Sequence, residues 1–318
     1  MALGSAVLLM SGGLPAAVAQ DFPSQPVELV VPWPAGGGSD TLMRMVAEYA
    51  SQSLDEPIVV VNKPGAGGSL GLKEVADSPP DGHTMGMIAT GFIAEQYNNP
   101  NAPVLDDYKF VAYIGTDPAA LSASAETGIE TLDEFIEEAR ADPGGLRNGN
   151  DQPGGSSYLA IALMENTLDV EVTRVPYGGY APTVQALLAG EVDTATVSVP
   201  DMAEHHRAGR LTILAVAGDE RHPEVPDVPT FTELGHPLVA GTMRALVVPS
   251  ETPDEVVAEL EKAVMAALTD EAFLETATEA GFILAPAGSD EAERIVRNMD
   301  ENMYPVLLEA DLVKVRQK

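Results

Sequence analysis

Val27-Glu28-Leu29-Val30-Val31-Pro32-Trp33-Pro34-Ala35-Gly36-Gly37-Gly38-Ser39-Asp40-Thr41 reads as a strand, a glycine-rich turn and the start of a helix. The run Val27 to Val31 is almost wholly apolar and stops at Pro32, as a buried strand does. From Thr41 to Tyr49, the residues Leu42, Met45, Val46 and Tyr49 fall on one helical face. The unit recurs downstream: a strand at Ile58 to Val61, a glycine-rich turn at Pro64 to Gly68, a helical stretch at Leu70 to Ala76, then a strand at Thr84 to Ala89. Strands that alternate with helices imply a largely parallel sheet covered on both faces. Val111 to Gly115 is a further strand. The helix at Thr131 to Arg140, with Thr131 and Glu134 spaced as a capping box, opens a second α/β unit. That unit runs through a glycine-rich turn at Asn148 to Ser157, helices at Ser157 to Thr167 and Pro182 to Ala189, and strands at Val170 to Val175, Asp193 to Val199 and Ile213 to Ala217. A proline-rich connector at His222 to Pro229 leads to a strand at Ala245 to Pro249 and to helices at Pro253 to Leu268, Glu271 to Ala280 and Asp290 to Leu308.

Composition limits the function classes. The 318 residues suffice for about two domains. A chain this long buries roughly three-quarters of its unfolded surface, so it needs no disulfide staples and its lack of Cys says nothing about compartment. Setting 49 Asp+Glu against 17 Lys+Arg leaves a net charge of −32. Such a surface repels nucleic-acid phosphates and anionic lipids, so neither is an expected partner. Self-repulsion is screened within about 10 Å at 0.1 M salt, which points to a salty working environment. The melting temperature should therefore rise between dilute buffer and molar NaCl; no rise would refute that reading. Residues 1–19 carry the apolar run Ala6 to Met10 and then Ala17-Val18-Ala19, the pattern of a secretory signal cleaved after Ala19, although Met1 to Ser5 lacks the usual basic residues. Nothing beyond this segment supplies the roughly 20 apolar residues of a membrane span, so the mature chain is expected to be exported and periplasmic, without insertion into the membrane.

The turns carry the chemistry. Glycines let backbone approach a ligand closely, and the unpaired amides of a helix's first turn favour anions. Ser39 or Asp40 is placed to cap the first helix. The turn has neither G-x-G-x-x-G nor G-x-x-x-x-G-K-[ST], so nucleotide phosphates are not signalled, and a tight turn without a ligand is the plain alternative. A second glycine-rich turn, Asn148 to Ser157, also enters a helix. If the two faced each other they would form a clamp for carboxylates; the plain alternative is an exposed loop. Trp33, Tyr158 and Tyr177 suit a ligand with an apolar face or ordinary packing. Arg244 suits either a ligand carboxylate or a hinge ion pair.

Seven segments in order resemble the solute receptors of the tripartite tricarboxylate transporter, the Bug family. They are Ser24 to Asp40, Val61 to Gly68, Pro80-Asp81-Gly82-His83-Thr84, Val175-Pro176-Tyr177, Ala189-Gly190-Glu191-Val192-Asp193, Ala208-Gly209-Arg210-Leu211 and Val225 to Thr230. The resemblance implies a two-lobed, type II periplasmic-binding-protein-like α/β fold, each lobe a mostly parallel sheet with helices on both faces. Lobe 1 would comprise 20–121 and 240–318, with the last helix free to pack across, and lobe 2 would comprise 122–239. The implied function is hinge closure around a small organic carboxylate and presentation to membrane permease subunits, by a monomer without cofactor, metal or catalytic residues. The implied contacts are Trp33, Ala35, Gly36, Gly37, Ser39 and Asp40 from the first turn, Thr90 and Gly91, and Gly154, Gly155, Ser156 and Ser157. Tyr158, Tyr177, Asp193, Ser198 and Arg244 complete the candidate set. Where the family often has His, this chain has Tyr158; it has Gly178 in place of Lys and Val197-Ser198 in place of an Asp-Asn pair, which leaves the ligand open.

Other signals carry less. His205 and His206 are adjacent and lack the i, i+4 spacing of zinc ligands, so they read as a solvated helix end. There is no G-x-S-x-G elbow, and Ser39, Ser156, Ser157 and Ser198 have no sequence-local His. The rival readings are an α/β hydrolase or nucleotide-using transferase with phosphate-holding turns, and a sensory receptor for the same ligand.

Overall fold

A computed structural model describes residues 22–309 and 312–318. The signal-like segment lies outside them. In chain order the elements are β1 (Val27–Val31), α1 (Gly38–Ala50), β2 (Ile58–Asn62), α2 (Ser69–Ala76), β3 (Thr84–Ala89), α3 (Thr90–Asn98), β4 (Tyr108–Ser124), α4 (Leu132–Ala141), β5 (Arg147–Asn150) and α5 (Ser156–Leu168). They continue with β6 (Thr173–Pro176), α6 (Tyr180–Leu188), β7 (Thr194–Ser198), α7 (Val199–Arg207), β8 (Leu211–Val216), β9 (Gly241–Pro249), α8 (Asp254–Leu268), α9 (Glu271–Glu279), β10 (Ala287–Gly288) and α10 (Ser289–Glu309).

The strands run β2-β1-β3-β9-β4-β7-β5-β6, with β10 and β8 also paired to β4. β1, β2 and β3 are parallel, as are β5, β6 and β7. β4 and β9 are long antiparallel crossovers that join the two parallel blocks. β4 pairs with β9 from Tyr108 to Pro118 and with β7 and β8 from Ala119 to Ser124. Pro118 sits at the changeover, and the next amide, Ala119 N–H, donates to Ala240 at 2.8 Å. At this changeover, with Gly241 opposite Pro118, the pairing of β4 passes from β9 to β7 and β8.

Each block is covered on both faces. In β1, Val27, Leu29 and Val31 point into a core with α1, α8 and α9, while Val30 joins Leu72, Phe92 and Val296 on the other side. In the second lobe Leu121 packs with Phe135 and Ile161 of α4 and α5, and Ala120 with Leu187 and Met202 of α6 and α7. At roughly 1.5–3 kcal/mol per large buried apolar side chain, these four clusters supply most of the driving force for the two lobes. Local capping agrees: Thr131 Oγ1 accepts the Glu134 amide at 3.2 Å, and the Glu134 carboxylate accepts the Thr131 amide at 3.0 Å. The end of α10 reaches toward the second lobe, where Leu307 and Leu312 cluster with Tyr97 of α3 and Leu159 of α5.

Candidate functional site

Helix starts from both lobes meet at the C-terminal ends of β1, β3, β5 and β7, the position where open α/β sheets bind ligands. The contacts between lobes are specific. Gly38 N–H, the first amide of α1, donates to Asp201 Oδ1 of α7 at 2.8 Å. Gly91 N–H, at the start of α3, donates to Ser156 Oγ of α5 at 3.0 Å. The hydroxyls of Tyr180 and Thr242 lie 2.6 Å apart. These contacts close a chamber of about 30 Å³ lined by Trp33, Gly37, Ser39, Asp151, Ser156, Tyr180 and Thr242, among others. Outside it, and sharing Trp33, Pro34, Asp151 and Ser156 as walls, is a mouth of about 650 Å³ that includes Glu95 and Tyr177.

The amides predicted to face an anion do converge, but part of the set is already engaged by the protein's own oxygens. Asp201 takes Gly38 N–H, and Asp151 Oδ2 takes Ser157 N–H at 3.1 Å while Ser157 Oγ accepts Asp151 N–H at 2.8 Å. The next amides of the α1 turn, at Ser39 and Asp40, have no intrahelical partner. Neither of those residues is the N-cap, which is Gly37. Asp40 instead folds back to accept Gly36 N–H at 3.0 Å and is braced by Arg44 and Asn62. Gly36, with φ +90°, makes the turn that allows this.

A family model described as the tripartite tricarboxylate transporter family receptor matches residues 42–311. The chain belongs to that family. A protein encoded in the tcbD-tcbE intergenic region of Pseudomonas sp. strain P51 is 35% identical over 285 residues, 86% of this chain and 85% of its own. The solved periplasmic binding protein BugD superposes with a TM-score of 0.87 at 27% identity, covering 93% of this chain and all of that one. MatC from Rhodopseudomonas palustris, solved with bound malate, gives a TM-score of 0.82 at 29% identity over 92% of this chain and all of its own. The two-lobed receptor fold expected from the sequence is thus the fold of its relatives.

The structure brings some of the candidate residues to the walls of the cleft and gives the others different places. Trp33, Gly37, Ser39, Asp40 and Ser156 line the chamber; Gly155 and Tyr177 line the mouth. Ala35 and Gly36 are exposed at the tip of the turn. Gly154, with φ +91°, lies against Glu95. Thr90 pins the crossover: its Oγ1 donates to Gly241 O at 3.0 Å and accepts Met243 N–H at 2.9 Å. Ser198 ends β7 buried, with its hydroxyl unpartnered. Two candidates, Asp193 and Tyr158, are occupied elsewhere, and Arg244 lies behind the chamber wall. Asp193 precedes β7 at the end opposite the cleft and holds Arg147 in a two-pronged pair at 2.8 and 2.9 Å. The Tyr158 ring lies under the Arg174 guanidinium at 4.7 Å. Arg244 is 1% exposed and ion-paired to Asp117, and its Nε donates to Ser39 Oγ at 3.0 Å. Arg244 is thus in an ion pair directly behind Ser39, with its Nη2 buried and without a partner.

The sequence reading passed over Asp151, Asp201, Glu95, Tyr180 and Thr242. Asp151 and Asp201 follow the ends of β5 and β7, and that placement at strand C-termini was the available signal. Burial pushes the carboxyls of Asp151 and Asp201 each up to about 6. A carboxyl whose native pKa exceeds its unfolded value favours the native state while protonated, and that contribution is lost as pH rises from the unfolded value through about 6. Lowering the pH from 7.5 to 5 restores that contribution in the wild-type chain, while His205, His206 and His222, whose burial lowers their pKa, act in the opposite direction. The change in melting temperature should therefore be more positive in the wild type than in Asp151→Asn; equal changes in thermal melts of the two proteins would refute the assignment.

Proposed function

We propose that this chain is the extracytoplasmic solute receptor of a tripartite tricarboxylate-type transporter, which binds a small organic carboxylate between its lobes and presents the closed form to membrane permease subunits. The observation that carries this reading is the pair of interlobe bonds, Gly38 to Asp201 and Gly91 to Ser156, in which helix starts of one lobe engage oxygens of the other around a shared cavity. A relative of the same fold solved with bound malate supports the ligand class. On this reading the ligand's carboxylate meets the Ser39 and Asp40 amides and the hydroxyls of Ser39, Ser156 and Thr242, and the aromatic face of Trp33 covers its body. Closure is a hinge motion about β4 and β9, stabilised by contacts that only the closed state makes. Candidates displaced from the cleft, Tyr158 and Asp193, are left out of the proposed site.

The test is a thermal-shift screen of the full chain against mono-, di- and tricarboxylates, with ATP and NAD as controls. A shift with at least one carboxylate and none with the nucleotides is expected. A shift with a nucleotide and with no carboxylate would favour the phosphate-holding enzyme instead.

A further inference from the structure

Two hydroxyls on the chamber wall are already engaged on one side. Ser39 Oγ, at the second position of α1, accepts Arg244 Nε–H at 3.0 Å, and Ser156 Oγ, at the first position of α5, accepts Gly91 N–H at 3.0 Å. Among the described residues neither oxygen has another hydrogen-bond partner. A hydroxyl has one proton and two lone pairs, so an oxygen that accepts from a fixed N–H keeps its own proton to give. Both serines line the chamber, and both are thereby set to donate. For Ser156 the partner is a backbone amide at the start of α3. For Ser39 it is a side chain of β9, 205 positions along the chain.

Arg244 suits that task as a lysine would not. Its guanidinium is a rigid fork whose N–H groups serve separate partners: Nη1 pairs with Asp117, Nε reaches Ser39, and Nη2 is buried without a partner. Asp117 is held in turn by the Ile283 amide, which donates to its Oδ1 at 3.0 Å. The arginine is 1% exposed, so bulk water does not compete for its donors. We propose that Arg244 is a positioning residue for ligand recognition: anchored by Asp117, it occupies the acceptor side of Ser39 Oγ and so turns the Ser39 proton into the chamber as a donor to the ligand's carboxylate. A bond from a charged donor also polarises the hydroxyl, which strengthens the bond that its proton makes onward to an anion. This rests on the carboxylate reading above and assigns the residue that orients one of its hydroxyls.

The experiment has one arm without ligand and one with it. The chain has no Cys, so Ser39→Cys places a single thiol where Arg244 Nε–H is received. Its titration is followed through the pH dependence of alkylation by iodoacetamide. The midpoint should lie roughly one unit lower with Arg244 in place than with Arg244→Lys added, because the fork stabilises a thiolate at that position. Arg244→Lys keeps the charge opposite Asp117, so a role confined to the ion pair would leave the midpoint unmoved. In the second arm, isothermal titration with malate, succinate and adipate closes a mutant cycle. Arg244→Lys should weaken the tightest of these acids roughly tenfold when Ser39 is present and less than about twofold in Ser39→Ala, because the arginine acts through that hydroxyl. Equal losses in the two backgrounds, or a thiol midpoint indifferent to Arg244, overturns the assignment. If circular dichroism shows Arg244→Lys unfolded, Arg244→Met/Asp117→Asn, which also keeps the net charge, takes its place in both arms. Binding of none of the three acids refutes the carboxylate reading, and the thiol midpoint then decides the positioning assignment by itself.

Discussion

Replacing Arg244 with methionine should destabilise the protein by about 3–5 kcal/mol, the range for removing one partner of a buried ion pair. Arg244 and Asp117 are each 1% exposed, on β9 and β4 where these cross between the lobes. The Asp117 carboxylate accepts both from Arg244 Nη1 and, at 3.0 Å, from the Ile283 amide. Without the guanidinium its charge would stay buried with one neutral donor. For a protein of about 5–15 kcal/mol total stability the loss is a large fraction, and the melting temperature should fall by on the order of 10 °C. The double variant Arg244→Met/Asp117→Asn carries no orphan charge and keeps an oxygen for Ile283, so it should recover part of the loss. Calorimetric melts of the two variants decide the matter. A double variant no better than the single one would show that the guanidinium acts by packing against Phe282, whose ring lies 5.8 Å away, rather than by charge.

The second large effect concerns closure. A Cβ added at Gly91 would lie 2.9 Å from Gly155 Cα and 3.0 Å from Ser156 N, both backbone atoms of the other lobe. Backbone at a helix start cannot yield as a flexible side chain can, so Gly91→Ala acts as a wedge between the lobes. Within its own lobe the change is benign, because alanine is the better helix former by about 1 kcal/mol. Overpacking costs typically 1–3 kcal/mol, and here it falls on the closed state alone, which weakens ligand binding roughly 5- to 160-fold. Small-angle scattering of the unliganded variant should give a larger radius of gyration, and its melting temperature should stay at or above that of the wild type. A radius equal to the wild-type value would show that the contact between Gly91 and Ser156 does not set the closed geometry.

Much of this architecture was readable from periodicity. Short, β-branched apolar runs such as Leu29-Val30-Val31 suit a strand buried on both faces, and the amphipathic run from Leu42 to Tyr49 suits a helix against it. The misses have physical reasons. The strand expected at Val111 to Gly115 is part of β4, which runs on through Asp117-Pro118 to Ser124 because Pro118 lies where pairing passes from one sheet region to the other. β5, with the sequence Arg147-Asn148-Gly149-Asn150, looks like a loop; Asn148 is buried there because its amide donates to Thr194 at 3.0 Å and to Thr196 at 3.2 Å on a strand far along the chain. The start of α3 was equally hidden, since Thr90 is fixed by Gly241 and Met243 rather than by its own neighbours.

The sequence by itself determined the α/β class, the turns that open α1 and α5, and the likeness to a receptor family, because propensity, capping and hydrophobic period act over a few residues. The tertiary structure alone decided which oxygen meets which amide. Asp201 reaches Gly38 across 163 positions of chain, and Arg244 reaches Asp117 across 127. Both bonds depend on how two separately folded lobes come together, and a carboxylate beside a helix start is stabilised wherever in the chain it comes from.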